Sequence, residues 1–174
     1  DFLDKVIAAG VSVLKIEGRG RSPDYVYTVI SCYREAIDAI MSGTYSQKLV
    51  PAWKERLATV FNRGFWDGYY LGKKMGEWNN EYGSKATKKK VYIAKGVKYY
   101  DKKQVAEFKI EASSLAIGDE VIITGPTTGY VQTHIKELQV DNKPVEKATK
   151  GDMVTFKLPE KVRPSDKLYR LETA

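Results

Sequence analysis

VSVLKIEGRGRSPDYVYTVISCYREAIDAI (residues 11–40) is the stretch on which the reading of this chain turns. Residues 11–16 are apolar and β-branched at most positions, the composition of a strand buried on both faces of a parallel sheet. Ser22, Pro23 and Asp24 then supply an N-cap, a first helical residue and a first-turn acid. Val26, Val29, Ile30, Tyr33, Ile37 and Ile40 recur on one side of about five helical turns, and Gly43 stops the helix. Upstream, Phe2, Leu3, Val6 and Ile7 have helical spacing and Gly10 follows them, which predicts another helix. A parallel-type strand between two helices is one unit of a larger α/β domain. Residues 1–43 therefore read as the terminal helix–strand–helix of an α/β barrel. The chain, which starts at Asp1, reads as a piece of a longer protein.

Outward from this stretch the character changes twice. Residues 44–87 form a connector with one further helix over 51–62, where Trp53, Leu57, Val60 and Phe61 share a side. A glycine- and aromatic-rich segment, RGFWDGYYLGKKMGEWNNEYGS (residues 63–84), follows with no period of its own. Residues 88–174 alternate short β-rich runs with the breaks YYDKKQ, IGDE, TGPTTG, VDNKP and TKGD. Six or seven short antiparallel strands in this span predict a small closed β-barrel, since closure removes exposed edges. The fold class is α+β.

Composition excludes several functions. No apolar run reaches the roughly 20 residues of a membrane span, and no signal peptide is visible. The only cysteine, Cys32, forbids an internal disulfide and suits a reducing, cytoplasmic setting. Cys32 lies off the apolar stripe of its helix and reads as a packing thiol. With His134 the only histidine, neither a zinc site nor a Ser–His–Asp arrangement can be assembled, and no metal site is predicted. The formal charge of +7 is concentrated. Nine lysines against two acids between residues 85 and 109 carry a net +7, leaving the rest near neutral. Lys88, Lys89, Lys90, Lys95, Lys98, Lys102 and Lys103, with Tyr99, are the candidate RNA-binding residues, and Tyr92, Tyr100 and Phe108 offer further stacking surfaces. The same lysines equally suit a solvated edge that discourages strand pairing.

In an α/β barrel, functional side chains sit after the strands. Here that place holds residues 17–22, Glu-Gly-Arg-Gly-Arg-Ser. Lys15, Glu17 and Arg19 are the candidate catalytic residues of the intact parent, with Glu17 a general base, a metal or cluster neighbour, or an orienting acceptor. Arg19, Arg21 and Ser22 are candidates for holding a phosphate or carboxylate. A buried ion network of Lys15, Glu17 and Arg19 closing the barrel is the structural alternative. A barrel site draws on several strands, so the fragment itself is expected to be non-catalytic. The lone strand, with unpaired edges, is expected to seek the β-barrel, a second copy or another conformation.

These residues carry a family resemblance. Leu14 to Arg19 (LKIEGR), the S-x-x-Y element from Ser22 to Tyr25, and the Y-R-x-A-I-D run from Tyr33 to Asp38 resemble the motifs of the collagenase-like peptidases of family U32. NRGFWDGYYLGK (residues 62–73) resembles that family's connector, with Tyr69 where phenylalanine is usual. The resemblance implies an α/β barrel ending near the KIEGR segment, in a parent that acts either as a peptidase or in hydroxylation of RNA. It also implies an iron–sulfur cluster held by cysteines upstream of this fragment, with no cofactor in the fragment itself. The implied partners are RNA or a protein substrate, together with the missing barrel. LAIGDEVIITGP, VEKATKGDMVTFKL and VRPSDKLYRL further resemble domain two of translation factors such as elongation factor Tu, where barrels of this kind help hold RNA.

Overall fold

Three helices form within the first 58 residues, each bounded by signals that can be traced in the sequence. They are α1 (Leu3–Ala8), α2 (Pro23–Met41) and α3 (Val50–Ala58). Gly10 and Gly43 follow the first two with φ of +89° and +71°, conformations that cost glycine least. Ser22 enters α2 in an extended conformation, although its hydroxyl makes no cap bond. The third helix stops earlier than its apolar spacing predicts. The Asn62 amide donates to the carbonyls of Ala58 and Val60, giving the backbone a turn in place of another helical rung. This computed structural model describes residues 1–70, 72 and 83–174, so part of the glycine- and aromatic-rich segment lies outside the described residues. The chain divides into two compact units, Asp1–Thr87 with Ala174, and Lys88–Thr173.

The strand expected over residues 11–16 does not form. These residues run without helical or ladder structure, and Val11 and Val13 are 41% and 80% exposed. A strand is defined by its neighbours, and no described segment of the first unit pairs with this one. The apolar pattern is present; the hydrogen-bonding partner is not. The first unit accordingly buries few apolar side chains, among them Val29, Cys32, Ala36, Val50 and Val60.

The second unit is built differently. Its strands are β1 (Lys88–Tyr100), β2 (Val105–Ile110), β3 (Ser114–Ala116), β4 (Glu120–Gly125), β5 (Gly129–His134), β6 (Gln139–Val140), β7 (Lys143–Pro144), β8 (Lys147–Thr149), β9 (Met153–Lys157) and β10 (Lys167–Thr173). Eight make an antiparallel sheet in the order β5-β4-β10-β1-β2-β9-β6-β7, and β3 pairs with β8. The count exceeds the expected six or seven because the long run from 130 to 140 breaks at 135–138 and several bridges are only two or three residues long. The turn between β6 and β7 has φ of +51° and +61° at Asp141 and Asn142, the left-handed pair that a two-residue hairpin requires.

The hydrogen-bonded order has two ends, so the ladder itself does not close. The sheet nonetheless curls round on itself. Residues 135–138 join β5 to β6, which lie six positions apart in the order; a flat sheet would separate them by about 29 Å. Five Cα steps reach at most about 18 Å. The long β1 makes this possible through bulges at Tyr92/Ala94 and Gly96/Lys98, pairing first with β10 and then with β2. Inside lies one core that includes Ile93, Phe108, Leu115, Val121, Ile123, Val154, Phe156 and Leu168, with the Phe108 and Phe156 rings stacked at 5.4 Å.

One polar group is built into this interior. Asp166 is 2% exposed, and its carboxylate accepts from the Arg163 N–H at 2.8 Å and the Thr128 hydroxyl at 2.6 Å. Its carbonyl takes the Gly96 N–H, and Gly96 in turn accepts from Ser165. Two glycines make room: a Cβ on Gly125 would lie 1.7 Å from Asp166 Oδ1, and one on Gly96 2.7 Å from the Arg163 carbonyl oxygen. This Asp-centred clasp holds the loop before β10 against β1 and the β4–β5 turn.

Candidate nucleic-acid interface

The two candidate sites fall in different units. In the first unit, Lys15, Glu17, Arg19 and Arg21 are all exposed. The Glu17 carboxylate accepts the Arg19 N–H at 2.8 Å, tying the turn to itself. Among the described residues no ion pair joins Lys15, Glu17 and Arg19, so the buried network that would close a barrel is not formed here. The Arg21 guanidinium lies 4.1 Å from the Phe61 ring centroid and 5.5 Å from that of Tyr25, a cation–π arrangement that occupies its planar face. Ser22 begins α2 beside it. An apolar cleft of about 430 Å³ in the same unit is lined by Leu14, Cys32, Tyr33, Trp53 and Trp66 among others, but by none of the charged-turn residues.

Cys32 is buried, and that burial pushes its thiol above the ordinary value. Among the described residues no group of three or more His, Cys, Asp or Glu could hold a metal. Iron–sulfur clusters need several thiolates. The resemblance places that cluster on cysteines upstream of residue 1, and this fragment contributes only the thiol of Cys32.

The second unit gathers its basic residues on the outer side of the sheet. Side chains alternate across a strand, and Ala94, Gly96, Phe108, Ile110, Asp166 and Leu168 are all buried. Lys95, Lys109 and Lys167, each lying between two of these, therefore point away from the core and are exposed. Register makes them neighbours: Lys95 pairs with Lys167 on β10 and with Lys109 on β2. Three lysine side chains thus leave one row of positions on adjacent strands, whose backbones lie about 4.8 Å apart. None has an ion-pair partner among the described residues.

The next row on this face is aromatic. Tyr92 and Tyr169 are register partners, with ring centroids 5.6 Å apart at 64°. Burial and then the hydrogen bond to Glu111 push the Tyr92 hydroxyl up to about 12, so it remains a neutral donor fixed on that carboxylate. Lys90 lies over the Tyr169 ring at 5.8 Å, and Lys98 over Tyr100 at 4.8 Å. At the far end, Tyr130, Gln132, Glu120 and Lys88 make a chain of hydrogen bonds. Burial raises the Glu120 carboxyl, but the bonds from Lys88 and Gln132 outweigh it and hold the group below its ordinary range.

The predicted RNA-binding set is therefore divided by the fold. Lys95 and Lys98 share the outer face, while Lys102 and Lys103 are exposed in the β1–β2 turn. Lys88 is bonded to Glu120, and Lys89 lies 3.6 Å from Glu172. Tyr99 turns inward: it packs against the core and its hydroxyl donates to the carbonyls of Leu158 and Pro159. Phe108, expected as a stacking surface, is fully buried because its parity on β2 faces the core. Sequence reading left Lys109, Lys167, Tyr130 and Tyr169 out of the site. Only register, which brings β10 beside β1, could have placed two of these beside Lys95 and Tyr92.

Comparison with known proteins places these units in context. The model of peptidase family U32 matches residues 1–80. Over 171 residues, 98% of this chain and 41% of the relative, the sequence is 56% identical to a Porphyromonas gingivalis protein named collagenase. It is 29% identical over 178 residues to tRNA hydroxylation protein P1 of Bacillus subtilis, covering 98% of this chain and 40% of that one. Among solved structures, the C-terminal domain of a Geobacillus thermoleovorans protein described as a U32 peptidase superposes with a TM-score of 0.44 at 17% identity, covering 46% of this chain and 91% of that one. The chain thus spans about two fifths of the length of these curated relatives.

Proposed function

The chain belongs to peptidase family U32 through residues 1–80, and we propose that its second unit docks RNA for a longer family member that acts on RNA. The observation that carries this reading is the row Lys109–Lys95–Lys167. Like charges on directly opposite residues destabilise a sheet, so the fold itself gains nothing from this arrangement. Edge protection does not account for it either, because β10, β1 and β2 occupy the middle of the sheet order while β5 and β7 are its ends. A polyanion laid across the row removes the repulsion and releases its own counterions. The unit carries seventeen basic against twelve acidic residues, and the 29%-identical relative is named for tRNA hydroxylation.

The test is RNA binding by the 174-residue chain across a salt series. With about five phosphate contacts, log K falls with log salt at a slope of about −3.5 for a single strand. Absence of binding at low salt removes the reading.

The 56% identity to the protein named collagenase favours a second reading, in which the parent cleaves peptide bonds and this unit positions protein substrate or mediates dimerisation. Glu17, exposed and held by the Arg19 N–H, is then the candidate base. Parent-length protein is expected to digest gelatin, and Glu17→Gln to abolish digestion without changing the circular dichroism spectrum. Intact gelatin after incubation with folded, parent-length protein counts against this reading.

A further inference from the structure

Resting on the RNA-docking reading, we infer that the outer face takes single-stranded RNA: phosphates on the Lys95, Lys109 and Lys167 row and a base on the Tyr169–Tyr92 platform. Lys167 and Tyr169 are two residues apart on β10, one above the other on the same face, about 6.8 Å apart along the strand. Tyr92 meets Tyr169 edge to face, and its hydroxyl is anchored on Glu111, so the pair is set before any ligand arrives. Ile122 lies between the core-facing Val121 and Ile123 and so points outward, yet it is fully buried. Its register partner on β10 is Tyr169, so a buried apolar side chain adjoins the tyrosine pair on this face.

Size selects the strand state. The lysine row is about 10 Å long, two strand spacings. Modules that read duplex RNA contact successive grooves over about 16 base pairs. A short row beside an aromatic pair suits one backbone with its bases turned out, because every base has a face that stacks on a ring. An acidic polypeptide could satisfy the lysines but would leave the tyrosine pair unused.

The experiment measures anisotropy of labelled RNA of about 12 nucleotides, as a single strand and as a duplex of the same sequence, against the 174-residue chain at low salt. The single strand is expected to bind about tenfold tighter. Tyr169→Leu, which keeps an apolar neighbour beside Ile122 but removes the ring, should weaken single-strand binding by about fivefold to a hundredfold and leave duplex binding unchanged. Tyr169→Phe should retain it. Equal or tighter duplex binding overturns the inference while leaving RNA docking intact. Unchanged affinity in a folded Tyr169→Leu protein does the same, as does displacement by polyglutamate at equal charge. Failure to bind either RNA removes the docking reading along with it.

Discussion

Replacing Asp166 by alanine lowers the stability of residues 88–173 by about 3 kcal/mol, read from urea unfolding followed by circular dichroism. The carboxylate accepts from the Arg163 N–H and the Thr128 hydroxyl in a nearly water-free setting. Hydrogen bonds to a charged group contribute about 1.5–3 kcal/mol each, and the donors left behind have no water to turn to. For a domain of this size such a loss lowers Tm by about 15 °C. Gly125→Ala attacks the same clasp from the opposite side, since its Cβ would lie 1.7 Å from Oδ1. The two substitutions should therefore be strongly non-additive: alanine at 125 is costly beside the aspartate and much cheaper once the carboxylate is gone. A loss below about 0.5 kcal/mol for Asp166→Ala would place it among ordinary surface changes and show that the loop is held by its backbone alone.

The second large effect is on binding. Changing Lys95, Lys109 and Lys167 together to alanine removes three phosphate contacts, which lowers the single-strand salt slope by about 2 in magnitude. At about 50 mM salt the affinity should fall on the order of a hundredfold. All three side chains are exposed, and their removal relieves like-charge repulsion, so the protein should fold at least as stably as before. The matched control is the triple change of Lys136, Lys143 and Lys147, which are exposed but lie on other elements. A row that seats phosphate shows a large loss for the first triple and a small one for the control. Equal losses would mean that net charge alone attracts RNA and that the row has no special part.

Much of this was legible in the residues themselves. Helix limits followed from Pro23, Gly10 and Gly43, and the succession of turn signals marked the β-rich half because Asp141, Asn142 and Gly151 adopt the left-handed conformations such turns need. What the sequence could not disclose was pairing. Residues 11–16 have the apolar, β-branched content of a strand, but content does not create a neighbour, and they remain unladdered. Tyr99 and Phe108 sit among lysines in the sequence, yet the bulges of β1 and the parity of β2 turn both inward. Conversely, Lys167 and Tyr169 lie some 70 residues beyond Lys95 and Tyr92, and only the β1–β10 ladder brings them to one face. Local chemistry could be read from the sequence; adjacency between distant strands could not.

That ladder has a consequence for how the unit is made. Lys88 pairs with Thr173, so the unit's first residue waits for its last, and the sheet cannot be completed until residue 173 has left the ribosome. Contacts this distant in sequence slow folding. A nascent chain would meanwhile expose the flank of β1, and truncation before β10 (Lys167–Thr173) would strip that strand of its mate. The same closeness of entry and exit makes residues 88–173 a cassette, able to be spliced into a host loop without prising it open.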